Sequence, residues 1–104
     1  MTQFDVFVNP FATARRAYPF VVAMQSDFTI NRAEQLVAPI ASMDFGRAAS
    51  SRVMPVVSLQ GNDHVVVVPR LTVMRSQDLH EKVSSIATAR GELLAAIDYL
   101  FFGI

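Results

Sequence analysis

The sequence holds no cysteine and no tryptophan, and one lysine stands beside eight arginines in its 104 residues. Without cysteine, a disulfide framework, a thiolate metal site and a cysteine nucleophile are all excluded, which fits a reducing cytoplasm. Long apolar runs are missing as well. The longest aliphatic stretch, residues 65–68, is far short of the roughly 20 residues of a membrane helix, and Asp98 interrupts the apolar C-terminal segment, so no membrane partner is expected. The opening residues have neither a basic leader nor an apolar core and do not read as a signal peptide. No charge excess exists either: nine basic and nine acidic side chains balance. That argues against a nucleic-acid binder driven by counterion release alone.

What is present is enough apolar material for one core. At 52% hydrophobic residues and zero net charge, the chain can offset its ordering entropy, and its length suits a single domain spanning residues 1–104. Short β-rich runs separated by turn chemistry dominate as far as about residue 83. Strands are expected over residues 3–8, 18–25, 33–41, 53–59, 64–68, 71–74 and 79–83. In the third of these, Pro39 confines part of the strand to an edge or an end. Gln60-Gly61-Asn62-Asp63 is a hairpin signal, because glycine and asparagine tolerate positive φ. Residues 10–17 form a connector with two adjacent arginines, and 42–52 a small, polar loop with at most a helical turn.

After residue 83 the period becomes helical. Ser84 or Ser85 is placed to cap a helix, with Ile86, Leu93, Leu94, Ile97, Leu100 and Phe101 on one face. Gly91 inside it costs about 1 kcal/mol relative to alanine, which points to compensating packing or a close backbone approach. Phe101 and Phe102 are consecutive, about 100° apart around a helix, so one is expected inward and the other toward a partner or solvent. The apolar end, Tyr99 to Ile104, is either a binding element or a plug folded on the chain's own barrel.

Candidates for chemistry are sparse. Serines, His64, His80 and scattered acids do not assemble a nucleophile, base and orienting group in any recognisable order. Asp63 and His64 border the hairpin turn and read as turn-shaping and strand-opening residues. His80 and Glu81 are adjacent rather than on one helical face, no HExxH is present, and no metal is expected. The four glycines are isolated, so neither a dinucleotide fingerprint nor a phosphate loop forms and no cofactor is expected. The arginine bias suits planar pairing with carboxylate, phosphate or aromatic groups. Arg15 with Arg16, Arg70 with Arg75, and also Arg47 and Arg52, are candidates, weighed against solvated surface.

Taken in order, Gln3, Phe4 and Val6, then VVAMQSD at 21–27, APIA at 38–41, MPVV at 54–57 and AAIDYLFFGI at the end make the chain resemble the CcdB family of plasmid-addiction toxins. The resemblance implies a mainly β fold with one C-terminal α-helix, a Src-homology-3-like barrel of the CcdB/MazF type with a small additional antiparallel sheet. It implies a cytoplasmic homodimer that is not an enzyme. Such toxins bind the A subunit of DNA gyrase, trap the cleaved-DNA complex, and are neutralised by a CcdA-like antitoxin. Operator DNA is engaged only together with that antitoxin. The family's terminal Trp-Gly-Ile reads here Phe102, Gly103 and Ile104. Phe102 stands where the family's tryptophan is expected to stack on a gyrase arginine, and Asp98 where the family has an asparagine. Arg15 and Arg16 lie in the loop the family uses around antitoxin recognition. Two other readings stay open: a MazF-like endoribonuclease using Arg70 and Thr72, for which alternate strand residues share a face, and a degenerate homologue that only binds antitoxin and assists repression.

Overall fold

A computed structural model describes residues 1–29, 33–43 and 51–104. Seven strands follow in chain order: β1 (Asp5–Val8), β2 (Phe20–Ala23), β3 (Glu34–Ser42), β4 (Val56–Leu59), β5 (Asn62–Val66), β6 (Thr72–Arg75) and β7 (Lys82–Ser85). Among the described residues one long helix, Arg90–Phe102, follows the strands. The strands form one antiparallel sheet in the order β4-β5-β3-β2-β1-β7, with β6 joined to β3 off that path. The fold is thus mainly β with a C-terminal helix. β6 belongs to the same sheet, pairing with the first half of β3.

The nine-residue strand β3 is the hub. On one side it pairs with β2 from Val37 to Ile40. On the other it pairs first with β6, through Glu34 to Val37, and then with β5, through Ile40 to Ser42. Pro39 therefore sits inside a central strand and not at an edge. The Met24 N–H bonds the Leu36 carbonyl at 2.9 Å, and from there pairs alternate between hydrogen-bonded and open. Pro39 opposite Val21 falls on an open pair, so its missing N–H faces the gap between β6 and β5. Its carbonyl still accepts from Val67 N–H at 2.9 Å. The proline is tolerated because it stands where β3 changes partners.

Both faces of the sheet are covered. One core gathers Phe4, Val6, Val22, Ala38, Ile40, Val57, Leu59, Val66 and Val68 around Leu93 and Ala96 of the helix. The other packs Phe7, Val21, Ala23 and Val37 under Met74 and Leu79. Burial on two faces explains why β2 reads as an unbroken apolar run, FVVA, rather than an alternating one.

β1 starts at Asp5, two residues later than expected, because Phe4 takes φ +69°. This conformation is rare for a bulky residue and costs on the order of 1–3 kcal/mol. It persists because Phe4 N–H donates to Ala23 O at 2.7 Å, Ile86 N–H donates to Phe4 O at 3.0 Å, and the ring is 1% exposed. The hairpin turn is tighter than expected. Gln60 and Gly61 alone make it, at φ +53° and +82°, and Asn62 and Asp63 belong to β5. Two positive φ values in a two-residue loop match the twist of the flanking strands. β7 also begins later than expected, since a 3₁₀ turn and buried Leu79 precede it.

The helix begins at Arg90, not at Ser84 or Ser85. Ser85 Oγ accepts from Ala87 N–H at 3.2 Å and so caps the preceding 3₁₀ turn. Ile86 is buried but lies before the helix. Gly91 has nothing within 4 Å of the place a Cβ would occupy, so neither close packing nor a neighbouring backbone explains it. Gly91→Ala is therefore expected to stabilise the protein by about 0.5–1 kcal/mol, read as a higher urea midpoint at unchanged slope.

Asp5 is the buried anchor of β1. Burial alone pushes its carboxyl pKa up, but Thr2 N–H, the Lys82 ammonium and Thr2 Oγ1 outweigh that and hold it below the ordinary carboxylate value. Lys82 Nζ lies 3.2 Å from Oδ1 and Thr2 N–H 2.9 Å from Oδ2. A pKa lowered on folding means stability that is complete above the unfolded value and lost as pH falls through it toward the folded value. Asp5→Asn is expected to flatten that acid limb of the stability curve, measured by urea unfolding between pH 3 and 6.

Candidate functional site

The helix meets the concave face of the curled sheet through a short stripe. Leu93 and Ala96 are buried, and Leu94 and Ile97 pack at the margin of the core. Beyond Ile97 the core ends while the helix continues for more than a turn. Tyr99, Leu100, Phe101 and Phe102 are all exposed, with Phe101 at 63% and Phe102 at 73%, and Ile104 follows at 81%. Phe101 and Leu100 thus do not join the buried face, and neither phenylalanine of the pair turns inward. The segment is no plug on its own barrel. An apolar surface spread around a helix end, rather than one scattered side chain, is the kind of feature that marks a contact site.

Gly103 ends the helix in the left-handed region at φ +72°, its N–H donating to Tyr99 O at 3.0 Å. This is a glycine C-cap: the positive φ costs glycine nothing, satisfies one of the orphan carbonyls, and turns the chain sharply away from the helix axis. No Cβ contact would arise at Gly103, so its role within the chain is conformational. The helix has no basic residue in its last turn, and Asp98 lies near that end. A carboxylate there opposes the partial negative charge of the terminal carbonyls.

At its other end the helix is tied to the N-terminal residues. Arg90 donates from Nη1 to Gln3 Oε1 at 2.9 Å, and its guanidinium lies 6.0 Å from the Phe4 ring centroid. The start of the helix is thus joined to the residues just before β1.

Arg15 and Arg16 are both exposed on the 9–19 loop. Asn9 builds that loop. Its side chain donates to Tyr18 O at 2.9 Å and accepts from Phe11 N–H at 3.0 Å, while Arg15 Nε donates to Asn9 O at 2.6 Å. Arg15 then borders a cleft of about 280 Å³ with Pro10, Phe11, Arg75, Asp78 and His80. Arg75 pairs with Asp78 at 3.2 Å. Nothing in the sequence joined residue 15 to residues 75–80; the cleft exists because β1 and the turn after β6 lie side by side.

Other candidates are placed apart. Arg70 ends a 3₁₀ turn and leans over Tyr18 at 5.9 Å, while Thr72 opens β6. They do not share one strand, so the common-face argument for a ribonuclease pair does not apply. His64 is buried, with Nδ1 3.0 Å from Asn62 O, so that nitrogen carries the proton. Its ring stands edge-on to Phe20 at 5.5 Å. Arg47 lies outside the described residues. Among the described residues no group of three acidic or histidine side chains is placed to hold a metal ion, and no helix is long and apolar enough to cross a membrane.

Since Phe101 and Phe102 add little to the core, Phe101→Ala and Phe102→Ala are each expected to change unfolding free energy by less than about 0.5 kcal/mol. Buried Leu93→Ala should cost about 2–5 kcal/mol. Parallel urea titrations of the three variants measure the contrast.

A family profile described as CcdB protein matches residues 3–103. A search of curated proteins gave no match. The match covers the strands, the loop bearing Arg15 and the helix up to its glycine cap, and the curled antiparallel sheet with a C-terminal helix agrees with it. On that evidence the chain belongs to the CcdB family, the toxin side of toxin–antitoxin pairs.

Proposed function

We propose that this toxin binds the A subunit of DNA gyrase through Phe102, Gly103 and Ile104 and traps the cleaved-DNA complex. The observation that carries the reading is the helix end: Phe101 and Phe102 largely exposed, followed by a left-handed glycine and exposed Ile104. A binding hot spot of this kind needs a rigid aromatic anchor already held in place, and Phe102 on a capped helix supplies one. In a homodimer, two such tails related by a two-fold axis match a two-fold cavity between gyrase subunits.

Poisoning then requires no bond to be made or broken by the toxin. A ligand that binds the open, cleaved state better than the closed one raises the population of the former and slows religation. Phenylalanine keeps the π face of the family's tryptophan with less area and no N–H. A stack on a gyrase arginine is then worth about 0.5–2 kcal/mol, according to how far it is desolvated.

The same proposal assigns neutralisation to a CcdA-like antitoxin, whose disordered segment folds on binding and engages the loop bearing Arg15 and Arg16. The cleft beside Arg15 supports this. With Nε held by Asn9, the guanidinium is oriented and its outer N–H groups remain able to take a carboxylate in a planar pair. Operator binding would belong to that complex rather than to the toxin alone, in keeping with the toxin's zero net charge.

The test is incubation of the purified protein with bacterial gyrase, supercoiled DNA and ATP, followed by denaturation and quantification of linear DNA. Linear DNA is expected with the full chain and not with a chain lacking residues 102–104. An intact fold with no linear DNA from several gyrases would overturn the gyrase reading. Antitoxin binding would then identify a homologue that keeps only its repressor role.

A further inference from the structure

We propose that Arg52 is a positioning residue for the tail, stacking on Tyr99 and fixing the last helical turn from outside the helix. The inference rests on the reading of that tail as the partner-binding element, but its physical core stands on the contact itself. The Arg52 guanidinium carbon lies 4.0 Å from the Tyr99 ring centroid, against 5.9 Å and 6.0 Å for the other cation–π pairs of the described residues.

Arg52 is presented by a built turn. Met54 N–H donates to Ser51 O at 3.0 Å, and Val53 N–H reaches Ser51 Oγ at 3.4 Å. The turn is tied to the sheet at its far side, where Val66 N–H of β5 donates to Pro55 O at 2.9 Å. The arginine therefore projects from a turn that is pinned to the sheet on its C-terminal side.

Its target is the residue that matters for the tail. Tyr99 supplies the carbonyl that Gly103 N–H caps, so holding the Tyr99 ring holds the turn from which Phe102 projects and Gly103 redirects the chain. Electrostatics point the same way. The last turn of the helix carries no basic residue while Asp98 lies close by, so the helix does not supply its own C-terminal cation. Arg52 delivers one from another element, where a positive charge is favourable. Beyond Ile97 the core gives the helix no support, and this contact replaces it. Ordering the tail before a partner arrives removes that cost from binding.

The experiment is a double-mutant cycle on the ¹⁵N-labelled protein, reading amide hydrogen exchange at Gly103, with Arg52→Ala, Tyr99→Leu, both together, and Arg52→Lys. Each single variant is expected to speed Gly103 exchange about two- to five-fold, the range an exposed cation–π contact supports. The double variant should go no faster than either single one, and Arg52→Lys, which keeps the charge near the helix end but not the planar stack, should restore only part of the protection. Amides of Val22 and Ile40, buried in the sheet, open only on global unfolding and should accelerate by no more than Gly103 does, because the lost contact lowers global stability by at most its own worth. Unchanged Gly103 exchange in Arg52→Ala, additive effects in the double variant, or a larger acceleration in the sheet than at Gly103 would each overturn the proposal.

The same proteins go into the gyrase cleavage assay, where linear DNA is expected to fall in Arg52→Ala and to recover in part in Arg52→Lys. Linear DNA that falls on Arg52→Ala in the Tyr99→Leu background as well would mean that Arg52 touches the partner directly, and would overturn positioning. Wild-type protein that yields no linear DNA sinks the gyrase reading alone, and the exchange cycle still decides the Arg52 contact.

Discussion

The change of partner along β3 is the constraint on which the molecule depends. A strand that pairs with β2 along its middle, with β6 on its first half and with β5 on its second, must belong to both parts of the sheet at once. The two parts then share one backbone and cannot move independently. Pro39 is placed at the changeover, where the missing N–H interrupts neither β6 nor the body of β5. Because β3 is covered on both faces, its side chains feed two cores, one holding the helix and the other closed by Met74 and Leu79. The direction of the helix, and with it the position of every exposed tail residue, follows from the first of these cores.

Much of this was legible in the sequence, because period and turn chemistry act locally. The strands around the hairpin, the seven-strand content and the single terminal helix all follow from runs of β-branched residues, Gly61 and the apolar spacing after residue 85. What failed had a non-local cause. Phe4 looks like an alternating strand residue, and its positive φ is imposed by backbone contacts from residues 23 and 86. Pro39 looks like an edge marker, and only the sequence-distant strands β5 and β6 make it admissible in the middle. Helical spacing grouped Leu100 and Phe101 with Leu93, since a wheel gives the face of a residue but not the length of the surface it faces.

The site shows the same division. Phe102, Gly103 and Ile104 could be singled out from the sequence because an apolar helix end is visible as composition. Arg15 could be named but not its surroundings, which come from residues 75–80 across the fold. Arg52 was one arginine among eight, and only its turn and the neighbouring helix give it a partner. The chain's arginine bias acquires a meaning here: among the described residues three guanidiniums face aromatic rings, a contact suited to a planar, weakly hydrated cation.

The chain's single lysine has a further consequence. Lys82 bridges β7 to the buried carboxylate of Asp5 at the start of β1, so its ammonium is part of the fastening of that strand. Reagents that acylate side-chain amines would converge on this one position, remove its charge and leave a buried carboxylate without its cation. For coupling to a surface or a dye, lysine chemistry therefore attacks the fold at a joint. A cysteine placed on an exposed loop of this thiol-free chain gives a single addressable handle and leaves the joint untouched.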